Sequence, residues 1–468
     1  MTRHRTCWAL LGTSLLVSSA VLVTGAIPSA ATSTPVSATS SATTATVSYA
    51  DWPTYHGNNQ RTGNATSLKA IGSQPQPVWS IALDGAVYGS PIVVDHGLKL
   101  VATENNSVYE LSGNKVVWRH NFGAPVPTSS LPCGNINPLG ITGTMAYDAT
   151  TKTVVAVVER SNPFRHVAVG LDPVTGAQRW FRTVDVPASV SGISPQAMQQ
   201  RGALLITGRQ VYVAYGGLAG DCSNYRGSVV GLSLDKPTSA ALWHYTVPTS
   251  REAGIWAPPG PVENTGGVGI FVAVGNGATA GTGTYDASDS VLRLAYQSLQ
   301  DSFSPSTWRT DNANDLDLGS QGPALVGSYV FIAGKSGTAY VLKRSALGGI
   351  GGQVSQLSLC KSFGGAAVVG NIVYVPCTDG VRAVQISSTG QMSVLWHAAA
   401  NINGTPTVGG GYLFALDVSA GVLNVLNPAT GASVWTLPVG SVNRFAAPAL
   451  YGNAVFVGTL SGVKAFNW

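Results

Sequence analysis

Short apolar runs alternate with clusters of Gly, Pro, Asn and Thr along most of this chain, and within the runs every second position is apolar, the period of a strand in a packed sheet. Gly89–Val94 (GlySerProIleValVal), Gly322–Val326, Gly404–Val408 and Ala446–Leu450 open on small residues and turn apolar. A second run follows, as in Asn371–Pro376 or Asn453–Gly458, then a third such as Ser107–Leu111, then a turn and a run closed by tryptophan. Trp79, Trp118, Trp180, Trp243, Trp308, Trp396 and Trp435 recur in this way. The gap from Trp308 to Trp396 is about double the shortest, so one unit there has lost its Trp. Self-similarity at roughly 40 to 50 residues marks propeller blades, each too small to bury its own faces alone.

Counting opening runs places units near Gly89, Gly140, Arg201, Gly254, Gly319, Gly364, Gly404 and Arg444, which makes eight. The last stops at Trp468 after three strands, while Pro77–Leu83 precedes the first unit without a unit of its own. Pairing that segment with the final blade would cover two open edges and lock the ring. The expected fold is therefore all-β: an eight-bladed propeller closed by an N-terminal strand. Innermost strands converge on an axis where large side chains collide, which accounts for their Gly, Ser and Ala. The recurring tryptophans read as packing, wedged between blades with each indole N–H meeting a carbonyl.

Ahead of the propeller, Arg3, His4 and Arg5 precede an apolar stretch from Cys7 to Ala26 and then small residues. This reads as a secretory signal cleaved after Ala26 or Ala30, with an uncleaved membrane anchor as the competing reading. The organisation expected is signal peptide 1–30, a flexible Ser/Thr/Ala-rich linker 31–50 and the propeller over 51–468. The linker has no charge and too little apolar surface to bury a core. Beyond residue 50 there are 24 Lys and Arg against 21 Asp and Glu, a net charge of +3 without any basic run. That balance gives no support for a nucleic-acid partner. Four cysteines remain beyond the leader, and an even number in an exported chain favours disulfides. Cys360 and Cys377 end strands in neighbouring units and are expected to pair, leaving Cys133 with Cys222. A loop as short as the first closes for about 3 kcal/mol of stabilisation.

Asp51–Gly63 (AspTrpProThrTyrHisGlyAsnAsnGlnArgThrGly) and the ThrGly…Trp turns at Thr175–Trp180 and Thr430–Trp435 resemble the eight-bladed propellers of the quinoprotein alcohol dehydrogenase-like family, whose relatives include the non-catalytic outer-membrane assembly propeller. The resemblance covers everything after the linker. In the dehydrogenases it implies pyrroloquinoline quinone (PQQ) on the axis beside Ca2+, with an Asp as general base. Four segments carry this over: Gly254–Pro259 gives Trp256 as the floor under the quinone, Val274–Gly277 gives Asn276 as a metal ligand, Asp315–Gly319 gives Asp315 as the base, and Gly334–Arg344 gives Lys335 as the basic contact to the quinone. The types suit the chemistry: a flat ring for a flat cofactor, an oxygen donor for a hard cation and a carboxylate to take a proton.

Two departures cut across that assignment. Gly217–Gly227 is similar to the stretch that supplies a glutamate ligand, but Cys222 stands there, with Asp221 beside it as the substitute metal ligand. Only Cys133 stands where the dehydrogenases carry adjacent cysteines. His56, His96, His120, His166, His244 and His397 are scattered and read as surface or strand-end residues. Two functions are thus expected from different classes. The first is a secreted, monomeric ligand- or protein-binding scaffold whose partner docks on the axial face, without cofactor and without a membrane span after signal cleavage. The second is an extracellular PQQ- and calcium-dependent dehydrogenase acting on an alcohol or sugar.

Overall fold

The computed structural model describes residues 49–468 apart from residue 280, so the signal peptide and most of the linker lie outside the described residues. Eight antiparallel sheets follow one another along the chain, with first strands Ile92–Val94, Ala146–Asp148, Leu205–Thr207, Val262–Glu263, Ala324–Val326, Ala367–Val369, Thr407–Gly409 and Ala449–Tyr451. Neighbouring blades pack on one another in a closed circle, with the first strand of the last against that of the first. They are numbered here as blades 1 to 8.

Closure is made by the N-terminal strand. Gln76–Ala82 pairs antiparallel with Gly462–Asn467, the third strand of blade 8, with Ile81 opposite Val463 and Pro77 opposite Phe466. Blade 8 thereby gains its fourth strand from the other end of the chain, as the sequence implies. Buried apolar clusters lie between blades: Leu205, Tyr212 and Val229 of blade 3 pack with Val272 and Leu292 of blade 4. Burying both faces of each small sheet in this way is the main stabilising term.

The outer-strand tryptophans dock on the neighbouring blade. Trp118 Nε1 donates to Pro173 O at 3.1 Å and Trp396 Nε1 to Pro428 O at 2.9 Å. Gly176 and Gly431 of the facing turns are left-handed, and a Cβ on either would lie within 2.5 Å of the indole. Trp308 departs from this pattern. It is fully buried in the helix Trp308–Ala313 that follows blade 4, so the outer strands of blades 4 and 5 (Ser298–Ser304 and Ser355–Ser358) both lack tryptophan. Both expected disulfides form, Cys133–Cys222 and Cys360–Cys377. Among the described residues no helix is long and apolar enough to cross a membrane.

Asp51–Gly63 does more than lead into the ring: it fills one end of the axis. Trp52 bridges Val93 of blade 1, Asn59 O accepts from Glu263 N of blade 4, Thr62 O from Val368 N of blade 6 and Gly63 O from Val408 N of blade 7. Tyr55 packs on the axis against Ala203 and Ala447. His56 and Arg61 are buried beneath it, so His56 is not the surface or strand-end residue expected; His166 is buried too, near the start of the strand Phe164–Leu171.

Candidate functional site

The other end of the axis is open. A cavity of about 500 Å³ is lined there by the turns between second and third strands and by the segments that enter each blade. That volume suits a small organic ligand. Trp256, Asn276, Asp315, Lys335 and Asp221 all line it, although they are spread over 115 positions of sequence. Asn276 follows the second strand of blade 4 (Ile270–Val274), Lys335 the second strand of blade 5 (Tyr329–Ala333), and Asp221 that of blade 3 (Gln210–Gly217). Trp256 enters blade 4, while Asp315 lies in the link from the 308–313 helix to blade 5.

Lys335 is the centre of the acidic wall. Its Nζ lies 2.6 Å from Asp315 Oδ1 and 2.5 Å from Asp317 Oδ2, and 5.9 Å from the centroid of the Trp256 ring. Burial opposes the ammonium, but the Asp317 and Asp315 carboxylates outweigh it and hold the Lys335 pKa above the ordinary lysine value. Asp317 is buried, whereas the Asp315 side chain is 65% exposed. The carboxylate next to Asn276 is therefore Asp317 and not Asp315. Asn276 N donates to Asp317 Oδ1 at 2.6 Å, and the Asn276 side-chain amide, turned with its nitrogen towards Asp317, donates to the same oxygen at 2.7 Å. Burial pushes the Asp317 carboxyl up and the Lys335 ammonium draws it back only in part.

Close packing fixes this corner. A Cβ on Gly275 would lie 2.1 Å from Asp317 Oδ1, and one on Gly216 would lie 2.6 Å from Trp256 Cβ. Glu252, Ala253, Asp289 and Asp315 all take left-handed backbone in this sector, a concentration of strain that surrounding hydrogen bonds must hold. Ala253 N donates to Asn276 O and Gly275 N to Gly254 O, lacing the Trp256 segment to blade 4. Asp221 is exposed, accepts from Tyr225 Oη at 2.5 Å, and sits beside the Cys133–Cys222 disulfide at the rim.

The opposite wall is aromatic and basic. Trp256 is flanked by Phe363 at 6.5 Å and Phe445 at 6.2 Å between ring centroids. Arg444 Cζ lies 3.7 Å above the Phe363 ring and Arg201 Cζ 5.2 Å above Phe445. Sequence reasoning missed Phe363, Phe445, Arg201 and Arg444, and also Asp317. A repeat-aligned reading exposes most of them. The residue four places ahead of each first strand is, from blade 1 to blade 8, Tyr88, Thr142, Arg201, Pro258, Ser320, Phe363, Asn403 and Phe445. The position facing the axis is thus small or slender in half of the blades and large in blades 1, 3, 6 and 8, which are the blades that line the cavity through it.

The residues present do not make a calcium cage. A hard divalent cation needs several converging oxygens. Here the Lys335 ammonium already stands between the two aspartates and Cys222 is committed to a disulfide. Lys335 Nζ also stands over the Trp256 ring, 5.9 Å from its centroid.

Comparison with known families matches residues 66–346 and 345–466 to the PQQ-repeat family described as outer membrane protein assembly factor BamB. The chain belongs to that family. No curated protein matches it. Among solved structures it is similar to the computationally designed Ika8 protein at 12% identity and TM-score 0.54, covering 84% of this chain and 100% of that one. It also matches the β-propeller domain of Myceliophteria thermophila Cps50 (Swd1) at 8% identity and TM-score 0.44, over 84% of this chain and 100% of that one. At such identities the likeness to Ika8 is one of fold alone.

Proposed function

We propose that this protein is an exported PQQ-repeat propeller that works as a ligand-binding module, with the axial cavity as its binding site. The observation that carries this reading is the Asp315–Lys335–Asp317 cluster. Lys335 is paired with both carboxylates, so the position between them is occupied and the ammonium is not a free cation, while the cavity above remains open. Two disulfides and the Arg-led apolar leader support export, since such bonds persist in oxidising compartments. The same axial face is where a protein partner would dock.

One observation favours a second reading, a PQQ- and calcium-dependent dehydrogenase. Trp256, Asn276, Asp315 and Lys335 converge on one cavity although no local sequence link requires it. Against it stand the ammonium between the aspartates and the disulfide at Cys222. The test is to add the quinone and calcium to purified protein and follow dye-linked oxidation of alcohols and sugars together with the melting transition. The binding reading expects no turnover. Turnover that Asp315→Asn abolishes at unchanged melting temperature would establish the dehydrogenase and remove our conclusion.

A further inference from the structure

The two walls of the cavity differ in whether their charges are compensated. Lys335 is paired twice. Arg444 has no hydrogen bond or ion pair among the described residues, and Arg201 donates only to Gln199 Oε1, at 3.4 Å. No carboxylate lies within ion-pair distance of either guanidinium, although Arg201 is half-buried. Each guanidinium spends one face on a phenylalanine ring. That contact leaves the in-plane N–H donors, the fork that fits a carboxylate in bidentate fashion, without a partner apart from the long Arg201 bond to Gln199. Guanidinium donors that face a cavity and meet no carboxylate of the chain are free to take an anion from it.

We infer that Arg201 and Arg444 form a carboxylate subsite, and that the cavity takes a ring-bearing organic acid whose ring lies within the Trp256, Phe363 and Phe445 set and whose hydroxyls, where it carries them, turn to Asp315 and Asp221. This rests on the reading of the cavity as a ligand site and specifies its ligand class. Three aromatic rings around one space give a ring an apolar surface, the arginine wall gives an anion its partner, and the exposed Asp315 and Asp221 carboxylates accept from hydroxyl donors on the far side. The floor does not let the ligand pass through. Tyr55 of the plug borders the narrow space beneath Tyr88, Arg201 and Phe445, so the cavity is blind at that end. Sugar acids and aromatic acids share this chemistry, and the experiment tells them apart.

Surrounding charges give a second readout. Arg201 faces Glu104 and Glu159, both buried, and Tyr88, with His166 and Asp185 on the far side of Glu159. Burial raises Glu104 to about 8 and Glu159 to about 7. Both are therefore largely neutral in mildly acidic solution and become anions as pH rises through that range, when they compete for Arg201. Affinity for an acid ligand should fall across pH 6 to 9, and affinity for a neutral ring should not.

The experiment is calorimetric titration of the full chain with glucuronate, benzoate and glucose. At least one of the two acids is expected to bind at least tenfold more tightly than glucose. Arg201→Gln is expected to remove at least tenfold of that affinity and to flatten its pH dependence. Arg444→Ala, at the exposed mouth, repeats the test without touching the interior and guards against a variant that fails to fold. Preference for glucuronate over benzoate assigns sugar acids, and the reverse assigns aromatic acids. If glucose binds as tightly as both acids, or if both arginine variants keep full acid affinity, the subsite is wrong while the ligand-binding reading stands. If none of the three binds, both are overturned.

Discussion

Arg61 and Arg444 sit at opposite ends of the same axis in opposite states. Arg61, in the plug, is 2% exposed and donates to Thr54 Oγ1 at 2.8 Å, Leu204 O at 2.9 Å and Pro261 O at 3.3 Å, with Tyr55 O and Asn58 O at longer range. Burial lowers its pKa to about 9, which still leaves it charged at neutral pH. Arg444, at the mouth of the cavity, lies flat on Phe363 and donates to nothing in the described chain. A ring of eight blades leaves a channel that must be closed or used. Here one end is closed by thirteen residues of the chain itself, and the other keeps unmet donors facing a cavity.

The sharpest way to break that contrast is to delete each arginine. Arg61→Ala strands the Leu204 and Pro261 carbonyls away from water, and is expected to cost about 5 kcal/mol in denaturant unfolding. Arg444→Ala removes only an exposed stacking contact, and should change stability by less than about 0.5 kcal/mol. Comparable losses in both variants would mean that the mouth is structural and not a ligand surface.

Acid–base behaviour separates the ends next. Glu104 accepts from Gly140 N at 2.7 Å and Thr142 Oγ1 at 3.2 Å, but its Oε1 meets no donor. Between pH 4.5, its ordinary value, and about 8 in the fold, the unfolded chain has lost this proton and the folded chain retains it. The folded state then binds more protons, so stability falls as pH rises through that window, by on the order of 5 kcal/mol in total. Glu104→Gln should remove this loss, measured as a flatter stability profile from pH 5 to 8.5. His56 runs the other way. Burial lowers it to about 3, and its Nδ1 lies 3.1 Å from Arg61 O, so the ring is neutral in the fold. Between pH 6.5 and 3 the unfolded chain gains a proton that the fold refuses, and stability is lost as pH falls, by on the order of 5 kcal/mol. His56→Phe should flatten the acid limb and leave the alkaline limb alone. An alkaline limb that moves with His56, or an acid limb that moves with Glu104, would show that the two ends are not independent.

Much of this was legible before any coordinates. The eight units, the borrowed strand and both disulfides follow from period-two runs, an unpaired edge and an even cysteine count. Trp256, Asn276, Asp221, Asp315 and Lys335 share a cavity, as the resemblance implies for the family's axial site. What stayed hidden depends on depth along the axis, which local patterns do not encode. Asp315 and Asp317 are two residues apart in one motif, yet one is exposed and the other buried against Asn276. Trp308 ends a run that resembles an outer strand, but the chain turns into a helix after Ser304. His56 reads as a polar loop residue because nothing in Asp51–Gly63 shows that it will be threaded into the ring. Arg201 looks like an ordinary cation until the repeats are aligned on their first strands, and Arg444 stands out only as the neighbour of aligned Phe445.

The smallest effect tests the compensated wall alone. Gly275 lies against Asp317, and a Cβ there would meet Oδ1 at 2.1 Å and the Trp256 indole nitrogen at 3.1 Å. Asp317 is held on one side by Asn276 N and on the other by Lys335, so it has little room to yield without loosening one of them. Gly275→Ala is expected to cost about 2 kcal/mol, the usual scale for a methyl forced into packed surroundings. More tellingly, the Lys335 pKa should fall towards the ordinary lysine value, because the Asp317 carboxylate is the strongest influence raising it against burial. Nitrogen-detected NMR of the lysine Nζ, or its reactivity towards an amine-acylating reagent, reads that fall directly. Glucuronate and benzoate binding at the arginine wall should change little in the same variant. If instead the variant lost acid affinity as fully as Arg201→Gln does, the two walls would be one coupled charge system, and the separation between a self-neutralised side and a ligand-facing side would fail.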